Sequence, residues 1–504
     1  MSDVREYKLL IDGQFVDAAS GETFESTDPS TGEVVGRIAK GGKDDVRKAI
    51  EAARKAFDSG VWSDMPQAER SSRLTKLWEI MQQRLMDLSH IEAIDAGHTI
   101  RMANLFSIAL GVEHMRVTAE LANKLGEYET VEQSEMPALS WGIVRREPYG
   151  VCSAITPWNF PFILMMWKAG PALATGNAMV VKPATYTPMS TAEFGKIVQE
   201  SDLIPPGVFN VVPGSGGAAG EELASNPLVD KVAFTGSTEV GRRIMQLAAP
   251  TVKKVTLELG GKSANILLDD ADLDSAIPGS LFATFLHTGQ ICHSGTRCLV
   301  PASLYDEVVA RMVEAAETLK VGPATDFETD IGPLVHRTQF DTVDRYVQIG
   351  LEEGAKLVTG GERVNVPGHD GGFFYKPTIF ADVKNSMRIA QEEIFGPVLS
   401  VIKYDSVEDA IQMANDSIYG LGGGVWSRDI PRAISVAKRI RTGTVWVNDY
   451  HLLSAYAPFG GYKQSGVGRE TGAWGIREYQ QTKYIHVDQT PRKDQKFWYQ
   501  IAGL

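Results

Sequence analysis

The chain has 504 residues, 43% of them hydrophobic, and a formal charge of -13. At roughly 150 residues per domain that length suggests two or three domains, and the negative balance argues against nucleic-acid and membrane partners, whose phosphates it would repel. The opening MSDVREYKLLIDG carries charges where a signal peptide needs an apolar stretch, and no uninterrupted apolar run of about 18 residues follows, so the expected location is cytoplasmic. Three cysteines, Cys152, Cys292 and Cys298, are too few for a disulfide framework and are read as thiols. The nine histidines show no zinc-like spacing with them, so no metal is expected.

Residues 43–58 and 67–90 repeat apolar residues at helical spacing and predict two amphipathic helices. The stretches 139–148 and 482–488 read as strands that belong to neither main unit and could pair as an oligomerising sheet. From Val151 short apolar strands alternate with helices. VCSAIT leads to a helix from Pro161, AMVVK to one from Ser190, VFNVV to one near Gly217, and VDKVAF to one from Thr238. That alternation predicts a parallel sheet of βαβ units, whose ligands bind at the carboxyl ends of the strands. A second series runs from SANILL at Ser263, through a helix around 272–287 and RCLVP, to about Pro458, with a boundary near Gly260 and Gly261.

Several turns in this pattern carry polar or glycine residues suited to chemistry. Thr156-Pro157-Trp158-Asn159-Phe160-Pro161 follows one strand, Lys182-Pro183-Ala184-Thr185 the next, and Phe234-Thr235-Gly236-Ser237 leads into a helix with Gly241 one turn in, a start able to meet a pyrophosphate. Gly214–Gly220 matches a dinucleotide fingerprint, but no acidic residue follows the next strand, so it is read as a helix-packing turn. Cys292 lies in a polar loop, Gly289-Gln290-Ile291-Cys292-His293-Ser294, where an accessible thiol can serve as a nucleophile. Cys152 and Cys298 sit within apolar strands and read as core.

Seven blocks in order, ITPWNFP, KPA, FTGSTEVG, LELGGKS, GQIC, EEIFGPV and PFGGYKQSGVGRE, make nearly the whole chain resemble the aldehyde dehydrogenase superfamily. The resemblance implies an α/β protein with a Rossmann-like dinucleotide-binding domain (1–128 and 149–259), an α/β catalytic domain (260–475), a small β oligomerisation element (129–148 and 476–488) and a C-terminal extension (489–504). It implies a homodimer or homotetramer. By position Cys292 matches the nucleophile, Asn159 the oxyanion donor and Glu258 the base that activates water against a thioester. Thr156, Trp158, Lys182, Thr185, Gly236, Ser237, Gly241, Glu393 and Phe395 match cofactor contacts, and Phe160, Trp167, His293 and Phe459 the substrate tunnel. Aromatic walls suggest a medium-chain aliphatic or aromatic aldehyde.

Thr185 stands where many NAD-preferring members place a glutamate, so both NAD and NADP are candidates. His287 and His293 flank the cysteine, yet adjacent side chains are expected to diverge and a Cys-His pair is not favoured. His451 and Tyr456 are expected at the tunnel mouth or on the surface. A CoA-acylating dehydrogenase is the alternative, opposed by Glu258, and a non-catalytic structural protein the remote one.

Overall fold

The computed structural model describes residues 4–135, 139–490 and 492–504. The parts of the expected oligomerisation element and C-terminal extension at 136–138 and 491 lie outside the described residues.

An eight-stranded sheet organises the first half. Its central strands Lys254–Glu258, Lys231–Thr235, Val151–Ile155, Ala178–Lys182 and Phe209–Val211 run parallel in that spatial order. Every residue of the middle three is buried, which is what covering both faces with helices demands. Two antiparallel strands, Leu9–Ile11 and Gln14–Val16, close one edge, and Gly466–Val467, arriving from late in the chain, closes the other beside Glu258. The helix Pro161–Ala174 is buried along its whole length and has proline at its first position, where no backbone N–H is needed.

A second, seven-stranded sheet holds Ala264–Leu267 between Arg297–Pro301 and Gly422–Trp426, all parallel. The passage between the two sheets is the short segment 259–263. Cys152 and Cys298 are fully buried in these strands, as expected, and burial pushes both thiols up to about 12.

The strand-like stretches outside both sheets do pair. Ser140–Pro148 lies antiparallel to Gln480–Asp488 over nine residues, with Tyr128–Ser134 on its other side. Residues 476 and 477 instead end the helix Gly472–Arg477. The expected single helix at 67–90 is two, Gln67–Gln83 and Leu85–Ala96, broken at Arg84 with φ -111° and ψ 13°. Arg84 donates from its guanidinium to Glu193 Oε2 at 3.1 Å, on the helix Met189–Ser201. No helix among the described residues is long and apolar enough to cross a membrane.

Candidate active site

Three strands of the first sheet end at a cleft of ≈ 1220 Å³. The turns after them supply Thr156 and Trp158, Lys182 and Thr185, and Gly236 and Ser237 to its walls, where strand topology places a ligand. Lys182 is buried and donates to the carbonyls of Pro183 at 2.6 Å and Gly214 at 3.1 Å, and burial lowers its ammonium to about 8. Ser237 caps the eleven-residue helix Thr238–Ala248 by accepting from Val240 N–H at 3.3 Å, leaving a positive dipole end beside the cleft.

Two glycine readings change. Gly241 does not line the cleft. A Cβ there would lie 2.5 Å from Leu259 Cδ2, so glycine serves helix-to-strand packing. Conversely Gly216, Gly217 and Gly220, read as a packing turn, do line it, and a Cβ on Gly216 or Gly217 would meet nothing within 4 Å. Only Gly214 fits the packing reading, since its Cβ would meet Gly41 O at 2.4 Å. At the mouth Arg243 Nε donates to Glu221 Oε1 at 3.0 Å.

The cleft narrows past Trp158 and Gly236 into a chamber of ≈ 650 Å³ lined by Glu258, Cys292, Glu393 and Phe395. Phe395 holds a left-handed φ of 60° and stands edge-on to Trp158, their ring centroids 5.1 Å apart. Its carbonyl accepts from Gln339 Nε2 at 2.8 Å, an anchor with no signal in the sequence pattern. Glu393 Oε1 accepts from Gly261 N–H at 3.0 Å, and burial raises its carboxyl to about 7.

Cys292 occupies a tight loop preceded by left-handed His287 (φ 51°) and Thr288 (φ 55°), an uncommon conformation for a β-branched residue that costs backbone energy. Thr288 Oγ1 offsets part of it by donating to Gly332 O at 2.9 Å. Gly289 at φ 74° is required, because a Cβ would approach Gly396 O to 2.0 Å. Gly261 likewise lets Cys292 O approach within 2.3 Å of where its Cβ would be. Burial, and then the carboxylates of Glu393 and Glu258, push the Cys292 thiol well above its ordinary value.

Glu258 ends its strand with 4% exposure, and Oε2 has no partner among the described residues. Burial and then the charge of Glu470 raise its carboxyl well above the usual range, against a smaller pull from Lys168 and Arg469. Behind it Lys168, fully buried, donates to Glu470 Oε1 at 2.6 Å and Thr235 Oγ1 at 2.7 Å. This pair joins residues 302 apart and no motif announces it. Lys168→Met should leave Glu470 buried without its counter-charge and cost about 3–5 kcal/mol in denaturant unfolding, most of it recovered by adding Glu470→Gln.

On the other side of Cys292 lies a second, tighter chamber, whose exposed lining is entirely apolar. The expected Phe160, Trp167, His293 and Phe459 all line it, joined by Phe106 from the π-helical turn Ala103–Ser107 and Leu453 from the irregular stretch before Phe459. Asn159 and Cys292 line both chambers. Asn159 is 3% exposed and gives one amide hydrogen to Gln290 O at 2.9 Å, leaving the other for a ligand.

The histidines differ from expectation. Consecutive side chains do not diverge here, because Cys292 and His293 sit in a turn, and His293 Nδ1 lies 3.6 Å from Cys292 Sγ. His451 is fully buried and lines the apolar chamber rather than the surface. Tyr456 is half exposed and is absent from the chamber wall. His287 packs behind the wall, its ring centroid 4.1 Å from that of His98. His98 in turn bonds Asn159 O at 2.6 Å through Nε2. Among the described residues no group of three or more His, Cys, Asp or Glu could hold a metal ion.

The sequence profile of the aldehyde dehydrogenase family matches residues 15–485. The betaine aldehyde dehydrogenase of Bacillus subtilis is 44% identical, over 96% of this chain and 98% of its own. An aldehyde dehydrogenase of Bacillus cereus, solved as an NAD+ complex, superposes with a TM-score of 0.93 at 42% identity, over 96% of this chain and 97% of that one. The betaine aldehyde dehydrogenase of Staphylococcus aureus, also solved with NAD+, gives 0.94 at 37% identity, with 96% of each chain covered.

Proposed function

The chain belongs to the aldehyde dehydrogenase family, and from that premise we propose that it oxidises a medium-chain aliphatic or aromatic aldehyde to its carboxylic acid through a thioester on Cys292. The observation that carries this reading is the double lining: Cys292 and Asn159 stand where the chamber at the end of the cleft meets a second, apolar chamber. One chamber suits a dinucleotide and the other an aldehyde, so the two reactants would meet only at the sulfur.

Lys182, Trp158 and Ser237, with the open faces of Gly216 and Gly217, would hold the adenosine and pyrophosphate, and Glu393 and Phe395 the nicotinamide end. When bound there, NAD or NADP supplies the acceptor of two electrons and a hydrogen. Cys292 Sγ attacks the aldehyde carbon as the carbonyl electrons move to oxygen, and its proton passes to solvent as the one proton of the overall balance. The free Asn159 amide hydrogen and the Cys292 backbone N–H hold that oxyanion. Oxidation of the carbon restores the carbonyl as a thioester. Glu258 then takes a proton from water, whose oxygen adds to the carbonyl, and the carbon–sulfur bond breaks to release acid and thiol. The balance is aldehyde, water and oxidised nicotinamide to acid, reduced nicotinamide and a proton.

Thr185 lines the adenosine end of the cleft without charge, so NADP is accepted alongside NAD. Thr185→Glu should shift the NAD:NADP ratio of kcat/KM by about tenfold or more toward NAD, since a carboxylate there repels a 2′-phosphate. We also assign residues 1–128 and 149–259 to the dinucleotide-binding domain and 260–475 to the catalytic domain. The sheet of 129–148 and 476–488 would build a homodimer or homotetramer; its strand Gln480–Asp488 is an exposed edge carrying Tyr484 and Ile485. Three unpaired thiols suit the cytosol.

The test follows reduced nicotinamide over aliphatic, aromatic, amino and carboxylated aldehydes, with NAD and NADP in parallel, with and without CoA. Turnover without CoA is expected. Turnover only with CoA would assign the acylating reaction and remove the role given to Glu258.

A further inference from the structure

Asn159, the donor to the oxyanion, is held at both ends. Its side-chain amide gives one hydrogen to Gln290 O at 2.9 Å, and its backbone carbonyl meets Nε2 of His98 at 2.6 Å. His98 follows the helix Leu85–Ala96, which stops at Gly97 with a left-handed φ of 73°. The ring is fully buried, and burial lowers it to about 4, so it is neutral. A neutral ring has a single N–H and a carbonyl only accepts, so the hydrogen sits on Nε2. Nδ1 has no partner among the described residues, and Glu92 Oε1, at 3.9 Å, is beyond hydrogen-bond range. His98 therefore bonds Asn159 alone among the described residues.

The two holds converge on the loop of the nucleophile. His287, in that loop, sets its ring edge-on to His98 with centroids 4.1 Å apart, and its carbonyl accepts from Gln290 Nε2 at 3.1 Å. Both rings also pack against Phe160, at 5.0 and 5.3 Å, the residue that follows Asn159 and lines the apolar chamber. His98 itself lines neither chamber, so it acts on the reaction only through Asn159 and this wall. A donor helps only where the charge develops, and a misplacement on the order of 1 Å can lower a rate about 10²-fold.

We propose that His98 is a positioning residue for the oxidation: its Nε2–H bond to the Asn159 carbonyl, with the His287 ring packed beside it, holds the oxyanion donor in register with the loop of Cys292. This rests on the aldehyde-oxidising reading above and on Asn159 as its donor.

The experiment compares wild type, His98→Phe and His98→Gln in two reactions: single-turnover formation of reduced nicotinamide with the best aldehyde of the panel above, and alkylation of Cys292 by iodoacetamide. Phenylalanine keeps a ring against Phe160 and His287 but deletes the N–H, and glutamine returns an amide donor at similar reach. Alkylation displaces iodide from a saturated carbon and places no charge on a carbonyl oxygen, so it reads the thiol and its loop without the donor. Cys152 and Cys298 are sealed, so one label per chain is expected. His98→Phe should lose roughly 10- to 100-fold in oxidation rate, with KM for NAD and the alkylation rate within about twofold of wild type. His98→Gln should recover most of that loss. Added to Asn159→Ala, His98→Phe should lower the rate no further, because it acts through the residue already removed. Should His98→Phe not purify folded, His98→Asn, whose amide falls short of the carbonyl, carries the same comparisons. Equal falls in oxidation and alkylation, no fall in oxidation, no recovery with glutamine, or full additivity with Asn159→Ala would overturn the proposal while leaving aldehyde oxidation standing. A wild type that oxidises no aldehyde, or an Asn159→Ala variant that oxidises as wild type does, would instead remove the reading on which it rests.

Discussion

Cys292→Ala should purify folded and produce no measurable reduced nicotinamide from any aldehyde, a loss on the order of 10⁴-fold or more in kcat. The expectation is severe because nothing else at the junction of the two chambers can form the carbon–sulfur bond. His293 is neutral and desolvated, Glu258 is a carboxyl that cannot form that bond, and Cys152 and Cys298 are sealed in strands. The variant should nevertheless keep its fold. The loop is held by contacts that do not involve sulfur: Gln290 Oε1 accepts from Val335 N–H at 3.0 Å, Tyr450 OH donates to His293 O at 2.9 Å, and Gly295 N–H donates to Ala283 O at 2.9 Å. Thermal unfolding beside the activity assay separates the two. An inactive variant that melts like wild type supports the nucleophile, and retained turnover would assign the chemistry to another group.

What the sequence shows well is local. Each strand that ends in a polar turn announces itself by composition, and the cleft at the carboxyl ends of those strands follows from parallel topology alone. Cys292, Asn159 and Glu258 were legible because each lies within a block whose neighbours set its backbone. The misreadings share one cause, namely that packing partners come from elsewhere in the chain. Whether Gly241 faces a ligand or Leu259, and whether Gly216 faces a helix or open space, depends on contacts that no local pattern encodes. The Lys168–Glu470 pair is invisible for the same reason. His293 was misjudged differently: divergence of consecutive side chains holds on strands and helices, but the left-handed residues before this loop put Cys292 and His293 in a turn where both reach one cavity. His451 lies in a stretch without regular structure, so periodicity could not show that it turns inward.

Glu258→Gln should separate the two halves of the reaction. The first half, attack and oxidation, calls on Cys292, Asn159 and the bound nicotinamide. The second needs a base for water, and glutamine keeps the shape of the side chain without the lone pair that takes a proton. The variant should therefore release about one equivalent of reduced nicotinamide per active site in a rapid burst and then turn over about 10²- to 10⁴-fold slower than wild type. Mass spectrometry should find the chain heavier by the acyl group. The pH dependence has a definite sign. Burial and the charge of Glu470 raise the Glu258 carboxyl above the usual range, and only its ionised form can act as the base. Steady-state turnover in wild type should rise with pH through this raised value, and the residual rate of Glu258→Gln should lose that limb. A variant with no burst would place Glu258 in the first half of the reaction, and one with unaltered turnover would remove it from the chemistry.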